Sequence, residues 1–262
     1  MIIAIGGKIA SGKNNVCEII QDLCKKHKGP SFEQKAFAGK LKTIASLLTG
    51  IPVESFEDQE FKKALLGPEW GTVRTNPLNA IPVFGDVKFL HMMSVREFLQ
   101  KLGTEAMRDG LHKNVWVNAL FADYTKRIVH YPLTEEQIEY NNKQTGPVPS
   151  VNEKLDYPNW VITDMRFPNE MDAVEERKGI TIRVVRYPET IEQSRGPKNV
   201  ETILFDPTNQ KHMDLWKANC LRMHPSETAL DDAKFDYEII NDGTMEKLVH
   251  KVREILIKEN II

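Results

Sequence analysis

Residues 7–13 have the types and the spacing that suit phosphate binding. They read Gly-Lys-Ile-Ala-Ser-Gly-Lys and follow directly on the apolar run at 2–5. This is the G-x-x-x-x-G-K frame of a phosphate-binding loop, set between a predicted strand and a predicted helix. Gly7 and Gly12 let the backbone curl so that successive N–H groups point at phosphate oxygens. The positive end of the next helix faces the same anion, and Lys13 adds a mobile positive charge. The segment therefore predicts a bound triphosphate.

One position of this frame departs from the usual pattern. Asn14 stands where Ser or Thr commonly follows the lysine, and Asn15 offers no hydroxyl group either. An amide oxygen can face a magnesium ion or its water shell, but it is not the usual hydroxyl ligand. We therefore expect magnesium to be held mainly through phosphate oxygens, water and an acidic residue elsewhere in the chain.

Asp164 is the candidate for that acidic residue. It ends the short apolar run at 160–163, so it is expected at the carboxyl end of a strand, where ligands of open α/β sheets gather. An acid at this place helps to hold the magnesium ion in phosphate-loop proteins. Arg166, two residues further on, suits gripping a phosphate or orienting the acid. The alternative for Asp164 is a turn or a helix N-cap.

A second group of polar residues lies on a predicted helix that begins at Val95. Gln100 and Thr104 can read a base edge, the indole of Trp116 can stack on a base, and Arg108 can hold a monophosphate. The alternative interpretation packs Trp116 in the core and leaves the charged residues on a solvated face.

The elements that must position these residues predict an α/β protein. Strands alternate with helices, which favours a mostly parallel sheet covered by helices on both faces. We predict strands at 2–5, 31–37, 160–163 and 180–185, and helices after the loop and at 38–48, 95–106, 116–120, 169–178 and 245–256. Residues 131–158 are expected to form a surface excursion, and 241–243 a turn that caps the last helix. The 262 residues fit one large α/β domain with insertions, which we take as a single domain, 1–262, or two small ones.

Two stretches lack regular periodicity. Residues 50–94 contain four prolines and scattered aromatics, and we interpret them as an insertion over a substrate pocket. Residues 186–229 are interpreted as a lid; they hold three arginines, Arg186, Arg195 and Arg222, and also His224. No H-E-x-x-H spacing or nucleophile elbow accompanies His224, so metallohydrolase and acyl-transfer chemistry lack support.

Composition and charge narrow the class of partner. A formal net charge of -2 argues against broad binding to a nucleic-acid backbone. The three cysteines carry no metal-ligand spacing, which favours a reduced cytoplasmic location. No apolar run approaches the roughly 20 residues that span a bilayer, and a strand starting at residue 2 leaves no room for a signal peptide. We expect small-molecule nucleotides as partners, with no nucleic acid and no membrane, and leave a homodimer open.

Taken together, these residues resemble the phage-type deoxynucleoside monophosphate kinases, which belong to the adenylate-kinase-like group of phosphate-loop NTPases. The similarity extends from the loop to the Asn-Asp-Gly-Thr tail at 241–244 and weakens in the insertion and the lid. The residues that carry it are Arg96, Leu99, Gln100, Leu102, Gly103, Thr104, Glu105, Arg108 and Asp109, then Asn114, Trp116 and Val117, then Asp164, Arg166, Phe167, Pro168, Asn169 and Glu170.

The resemblance implies transfer of the γ-phosphoryl group of ATP to a deoxynucleoside monophosphate, with magnesium. By analogy the ATP phosphates are held by Gly7, Ser11, Gly12, Lys13, Asn14 and Asn15. The implied acceptor-binding residues are Lys42, Arg96, Gln100, Gly103, Thr104, Arg108, Trp116, Asp164, Arg166 and Glu170. The implied catalytic residues are Lys13, Asp164 and Arg166. Asp164 is also the implied magnesium ligand, with phosphate oxygens and water completing the shell. The family often has basic residues in the middle of the loop, whereas here Ile9 and Ala10 follow Lys8.

Two other functions stay open. A kinase of another small phosphorylated acceptor, such as phosphomevalonate, shares the loop, the strand-end acid and a similar tail. The segment 103–116 favours a nucleotide, because an indole face suits a flat base better than an isoprenoid. A non-catalytic nucleotide-binding module is suggested by Asn14 alone.

Overall fold

The structure is a computed structural model that describes residues 1–76, 87–131, 133–144, 146–188, 190–194, 200–204, 206–220 and 228–262. The chain divides into two compact units. The first contains residues 1–37 and 121–262, and the second contains residues 38–120. The predicted insertion at 50–94 falls in the second unit and the predicted lid at 186–229 in the first; their roles stay predictions.

The strands are β1 (Ile2–Gly6), β2 (Glu33–Lys35), β3 (Thr72–Asn76), β4 (Val87–His91), β5 (Arg127–Tyr131), β6 (Asn152–Asp156), β7 (Trp160–Met165), β8 (Ile180–Val185), β9 (Thr190–Ser194), β10 (Val200–Leu204) and β11 (Tyr237–Ile240). The helices are α1 (Lys13–Lys26), α2 (Gly39–Thr49), α3 (Val95–Gln100), α4 (Val115–Phe121), α5 (Glu135–Asn142), α6 (Pro168–Glu175), α7 (Gln210–Cys220) and α8 (Met245–Lys258). A π-helix, Lys101–Asp109, continues α3, and short 3-10 helices occupy Val53–Glu57, Phe61–Lys63 and Pro68–Trp70.

A five-stranded sheet in the order β11-β8-β1-β7-β2 forms the centre of the first unit. All four neighbouring pairs are parallel, which confirms the predicted α/β class with a parallel sheet. Every residue of the central strand β1 is buried. A strand buried on both faces reads as a continuous apolar run, and this is why 2–5 could be recognised in the sequence.

Helices cover both faces of this sheet. Ile3 and Ile5 point to the face covered by α1 and α8, in one buried cluster with apolar residues of both helices. Ile2 points to the opposite face, because side chains alternate along a strand. On that face Val174 of α6 lies close to Ile2, since a Cβ at Gly179 would meet Val174 Cγ1 at 2.6 Å and Ile2 Cβ at 3.1 Å.

The second unit has its own core. Ala45 of α2, Phe56, Leu66, Met93, Val95 and Phe98 form its buried cluster. Trp70 packs edge-on against Phe98, with ring centroids 4.9 Å apart. Between residues 50 and 94 the described backbone includes three short 3-10 helices and the antiparallel β3–β4 ribbon, joined by turns and irregular segments. The prolines of this stretch had predicted the lack of long regular elements.

Two stretches of the chain have more regular structure than the sequence indicated. Within 131–158 the structure has the β5–β6 ribbon, whose first strand begins at Arg127, and helix α5, which has no buried side chain. Within 186–229 it has the antiparallel β9–β10 ribbon and α7. Arg186 is exposed, whereas Arg195, Arg222 and His224 lie outside the described residues. Strand β11, only four residues long, was not predicted.

Among the residues that the structure describes, no helix is both long enough and apolar enough to cross a bilayer.

Cys17 and Cys24 allow a direct test of how α1 packs. Both are fully buried, and burial raises the pKa of each thiol to about 11. The thiolate is the reactive form, and at pH 8 only about one thiol in a thousand is in that form at any moment, so reaction is slow. In a Cys220→Ser background we expect no labelling of the native protein by a thiol reagent at pH 8 and two labelled thiols after denaturation. Rapid labelling of the native protein would contradict this packing.

Because both pKa values exceed the ordinary value of 9.0, the thiols also contribute stability below pH 9 that is lost as the pH rises through 11.

Candidate functional site

The candidate phosphate loop, residues 7–13, connects the carboxyl end of β1 to the first turn of α1. Its backbone adopts positive φ at Gly7 (147°), Ala10 (61°) and Gly12 (99°). Interspersed left-handed residues turn successive N–H groups to the same side, which produces an anion-binding concavity. Ala10 is the informative one, because a left-handed backbone costs an L-residue about 1–2 kcal/mol. Such local strain is concentrated at functional sites.

Gly7 and Gly12 have positive φ values and also lie so close to neighbouring atoms that a side chain would not fit. A Cβ at Gly7 would lie 2.3 Å from the carbonyl oxygen of Val184, at the end of β8. A Cβ at Gly12 would lie 2.4 Å from Asn241 Nδ2, and this amide donates a hydrogen bond to the Ser11 carbonyl at 2.9 Å. The start of the loop therefore packs on the sheet, and its end packs on the turn that follows β11.

The side chain of Lys13 folds back over the start of the loop. Its Nζ donates to the carbonyl oxygens of Gly7 at 2.8 Å and Lys8 at 2.7 Å. The ammonium group thus stays beside the loop backbone and does not extend along the first turn of α1. A phosphate oxygen is a stronger acceptor than a neutral carbonyl, so an anion in the loop can exchange for these bonds.

Three further predicted donor-site residues surround Lys13. The Ser11 residue is 2% exposed, and its Oγ has no hydrogen-bond partner in the part of the chain that the structure describes. Asn14 and Asn15 are exposed in the first turn of α1. The N-cap of this helix is Gly12, which has no side chain to cap the helix. Backbone N–H groups at the start of a helix point out of its end and can serve an anion.

Asp164 lies on the strand next to the loop. It is the second-last residue of β7, and Met165 is in register with Gly6 of β1. Its carboxylate is half-buried, and its Oδ1 accepts a hydrogen bond from the Phe37 N–H at 2.7 Å. Because the parallel strands end at the same level, the structure brings Asp164 and the loop to the same edge of the sheet.

The carboxylate of Glu170 accepts hydrogen bonds from the backbone, a role that the sequence did not predict. Glu170 is 3% exposed, and its Oε2 accepts from the backbone N–H groups of Arg166 at 2.7 Å and Phe167 at 3.1 Å. The carboxylate therefore fixes the backbone between β7 and α6 and satisfies donors at the start of α6. Its predicted contact with an acceptor stays a prediction, as does that of Arg166, whose side chain is half-buried.

In the second unit, two predicted acceptor residues contact each other. Trp116 is 7% exposed, and its Nε1 donates to the carbonyl of Gly103 at 2.8 Å. Gly103 lies in the π-helix, where a Cβ would meet the Leu41 side chain of α2 at 2.9 Å. Both residues thus pack this unit, which agrees with the core alternative for Trp116. Its predicted stacking on a base is not tested by these contacts.

The other predicted acceptor residues of the second unit are spread over α2, α3 and the π-helix. Lys42 Nζ is paired with Glu57 at 2.5 Å, and Arg96 donates to Gln59 at 3.1 Å. Gln100 is exposed, Thr104 is half-buried, and Arg108 is 9% exposed. π-helical turns occur frequently at functional sites, so this helix is a reasonable place for ligand contacts.

Sequence reasoning missed the residues that hold the loop in place. Asn241 was interpreted only as a turn residue, and no role was foreseen for Asp231, whose carboxylate pairs with Lys8 Nζ at 2.9 Å. These contacts join positions more than 200 residues apart, and a single sequence carries no signal for such pairing.

The edge of the sheet beside the loop offers oxygen donors to a metal ion. Within the described ranges, no group of three or more His, Cys, Asp or Glu side chains is placed to hold a metal ion. Asp164 and the amides of Asn14 and Asn15 offer the oxygen ligands that Mg²⁺ prefers, and phosphate oxygens would complete its shell.

The chain matches no protein-family model, and none of the curated proteins is similar to it by sequence. The family resemblance therefore rests on the residues themselves.

Glu170 provides a test of the strand-end geometry. Glu170→Ala leaves two backbone donors without their acceptor, and we expect it to lower the free energy of unfolding by about 2 kcal/mol. Glu170→Gln keeps an oxygen acceptor and should lose less. Glu175→Ala, an exposed change in the same helix, should stay within about 0.5 kcal/mol. Urea denaturation measures all three, and equal stabilities would contradict the capping role.

Proposed function

We propose that the chain transfers the γ-phosphoryl group of ATP to a (deoxy)nucleoside monophosphate and releases the diphosphate. This makes it a deoxynucleoside monophosphate kinase of the adenylate-kinase-like phosphate-loop group. The observation that carries the proposal is the loop at the carboxyl end of β1, with its left-handed residues, its lysine folded over the backbone and Asp164 on the adjacent strand.

The loop and α1 bind the donor. The N–H groups of residues 7–13 and the first turn of α1 hold the β- and γ-phosphates, and Lys13 exchanges its two carbonyl partners for phosphate oxygens. Asp164 and the asparagine amides would hold magnesium together with phosphate oxygens and water, and the ion would supply positive charge beside the transferred group.

The reaction needs no protein nucleophile. A phosphate oxygen of the acceptor attacks the γ-phosphorus in line, the new P–O bond forms, and the bond to the β–γ bridging oxygen breaks, so that ADP leaves with that electron pair. The protein contributes positioning and stabilisation of charge. Water must be excluded, because it would otherwise compete as the acceptor.

The acceptor side is assigned by resemblance. Arg166 is proposed to bind the acceptor phosphate, and Glu170 to position it through the backbone bonds described above. The resemblance assigns the remaining acceptor-binding residues, which are Lys42, Arg96, Gln100, Gly103, Thr104, Arg108 and Trp116. Among them Gln100 and Thr104 are accessible for a base edge, and Gly103 and Trp116 shape the helix that carries them.

An acceptor panel tests the proposal. The protein is incubated with ATP, Mg²⁺ and each nucleoside monophosphate in deoxy and ribo forms, and with phosphomevalonate, and the products are separated by chromatography. We expect a nucleoside diphosphate, and Lys13→Ala should lower kcat/KM by about 100-fold or more, since it removes a donor to the transferred group. Lys25→Ala, an exposed change in the last turn of the same helix, is the matched control.

Two outcomes would favour the other functions. Product from phosphomevalonate alone would identify a different acceptor class. ATP binding with no product from any acceptor would favour a non-catalytic module, as Asn14 suggests.

Asn14 supports a second prediction. Asn14→Ser supplies the hydroxyl ligand that the loop lacks, so the Mg²⁺ concentration for half-maximal activity should fall by about fivefold, the equivalent of one added ligand contact near 1 kcal/mol. Asn15→Ser is the control one position further along α1. A magnesium dependence unchanged in Asn14→Ser would place Asn14 outside the magnesium site.

A further inference from the structure

An ion pair joins the candidate phosphate loop to a turn close to the C-terminal end of the chain. Lys8 Nζ donates to both carboxylate oxygens of Asp231, at 2.9 and 3.0 Å, across 223 positions of sequence. The two side chains are 23% and 40% exposed. Lys8 is the residue after Gly7 and two before the left-handed Ala10, so this contact restrains the strained half of the loop.

Arg183 of β8 fixes the turn that carries Asp231. Its Nη2 donates to the carbonyl oxygens of Leu230 at 2.6 Å and Ala233 at 2.7 Å, one on each side of Asp231. The turn is closed internally by the Asp231 N–H, which donates to the Thr228 carbonyl at 2.9 Å. The backbone on both sides of Asp231 is therefore fixed by hydrogen bonds from Arg183.

Phe235 completes the connection between this turn and the sheet. The guanidinium of Arg183 lies 4.6 Å from the centre of its ring. The ring edge also packs on Gly6 at the end of β1, where a Cβ would come within 2.8 Å of two ring carbons. The turn, Arg183 and the last residue of β1 are thus packed together directly beside the loop.

We propose that Asp231 and Arg183 are positioning residues for the phosphate loop: Arg183 holds the turn, and Asp231 holds Lys8, so that the loop keeps its anion-binding conformation before a nucleotide arrives. This inference rests on the part of the proposed function in which the loop binds a polyphosphate. Restraining a site in its binding conformation raises affinity, because less conformational freedom is lost on binding.

The negative charge of Asp231 and its contact with Lys8 are expected to change the affinity for a polyphosphate in opposite directions. A carboxylate beside a polyphosphate site repels the ligand, so its removal would strengthen binding if charge alone mattered. If Asp231 acts by positioning Lys8, its removal weakens binding even though a negative charge is lost. The sign of the change in affinity decides between the two.

The experiment measures the affinity for inorganic tripolyphosphate and for ATP by calorimetry, and backbone hydrogen exchange of residues 7–13 without ligand. We expect Asp231→Asn to raise Kd about fivefold and to speed exchange in the loop, with Asp231→Glu close to wild type because it keeps the pair. Asp232→Asn, an exposed neighbour with the same change in charge, should leave both measurements unchanged or bind slightly tighter.

Arg183→Met should act like Asp231→Asn, and the double variant should be no worse than either single one, because both break the same connection.

Equal or tighter binding by Asp231→Asn, with unchanged loop exchange, would overturn the proposal. If the wild type bound neither tripolyphosphate nor ATP, the proposed phosphate site would fail, and hydrogen exchange would still decide whether the two residues order the loop. Circular dichroism and the unfolding midpoint of each variant separate a local change from general unfolding.

Discussion

The candidate site depends on one close approach, that of Gly7 to the carbonyl oxygen of Val184. A Cβ there would lie only 2.3 Å from that oxygen, so no other residue allows the loop to start directly above β8. Gly6 is at the same time in register with Met165 on one side and with Arg183 on the other. The parallel pairing therefore delivers three strand ends to one edge. It is this arrangement that makes Asp164 and Arg183 neighbours of the loop.

The loop itself departs from what local stability would favour. Ala10 is left-handed, and the buried Ser11 hydroxyl has no partner among the described residues. A polar group buried in this way costs about 1–3 kcal/mol. The packing of α1 on the fully buried strand β1 is the main stabilising contribution that offsets these costs. Proteins break local rules mainly at functional sites, so the concentration of such features within residues 7–13 supports a ligand-binding role.

The sequence predicted those parts of the molecule whose signal is local. The loop follows a buried strand and opens an amphipathic helix, and the apolar runs at 160–163 and 180–185 mark the two strands beside β1. What could not be predicted depends on tertiary contacts. Glu170 has the residue type of a ligand-binding acid, yet its carboxylate is engaged by two backbone donors that only the bend after β7 brings together. Asp231 and Asn241 reach the loop across more than 200 positions.

The contacts of Trp116 in the second unit bear on its proposed role in acceptor binding. If Trp116 were a stacking platform alone, its Nε1 would not need a partner within the unit; instead it bonds the Gly103 carbonyl of the π-helix. Gly103 in turn lets Leu41 of α2 approach the same helix. Trp116 and Leu41 therefore both contact the π-helix at Gly103, and the other residues of this helix include Thr104 and Arg108. Under the proposed function, specificity for an acceptor would arise from these polar groups of the π-helix more than from the indole face.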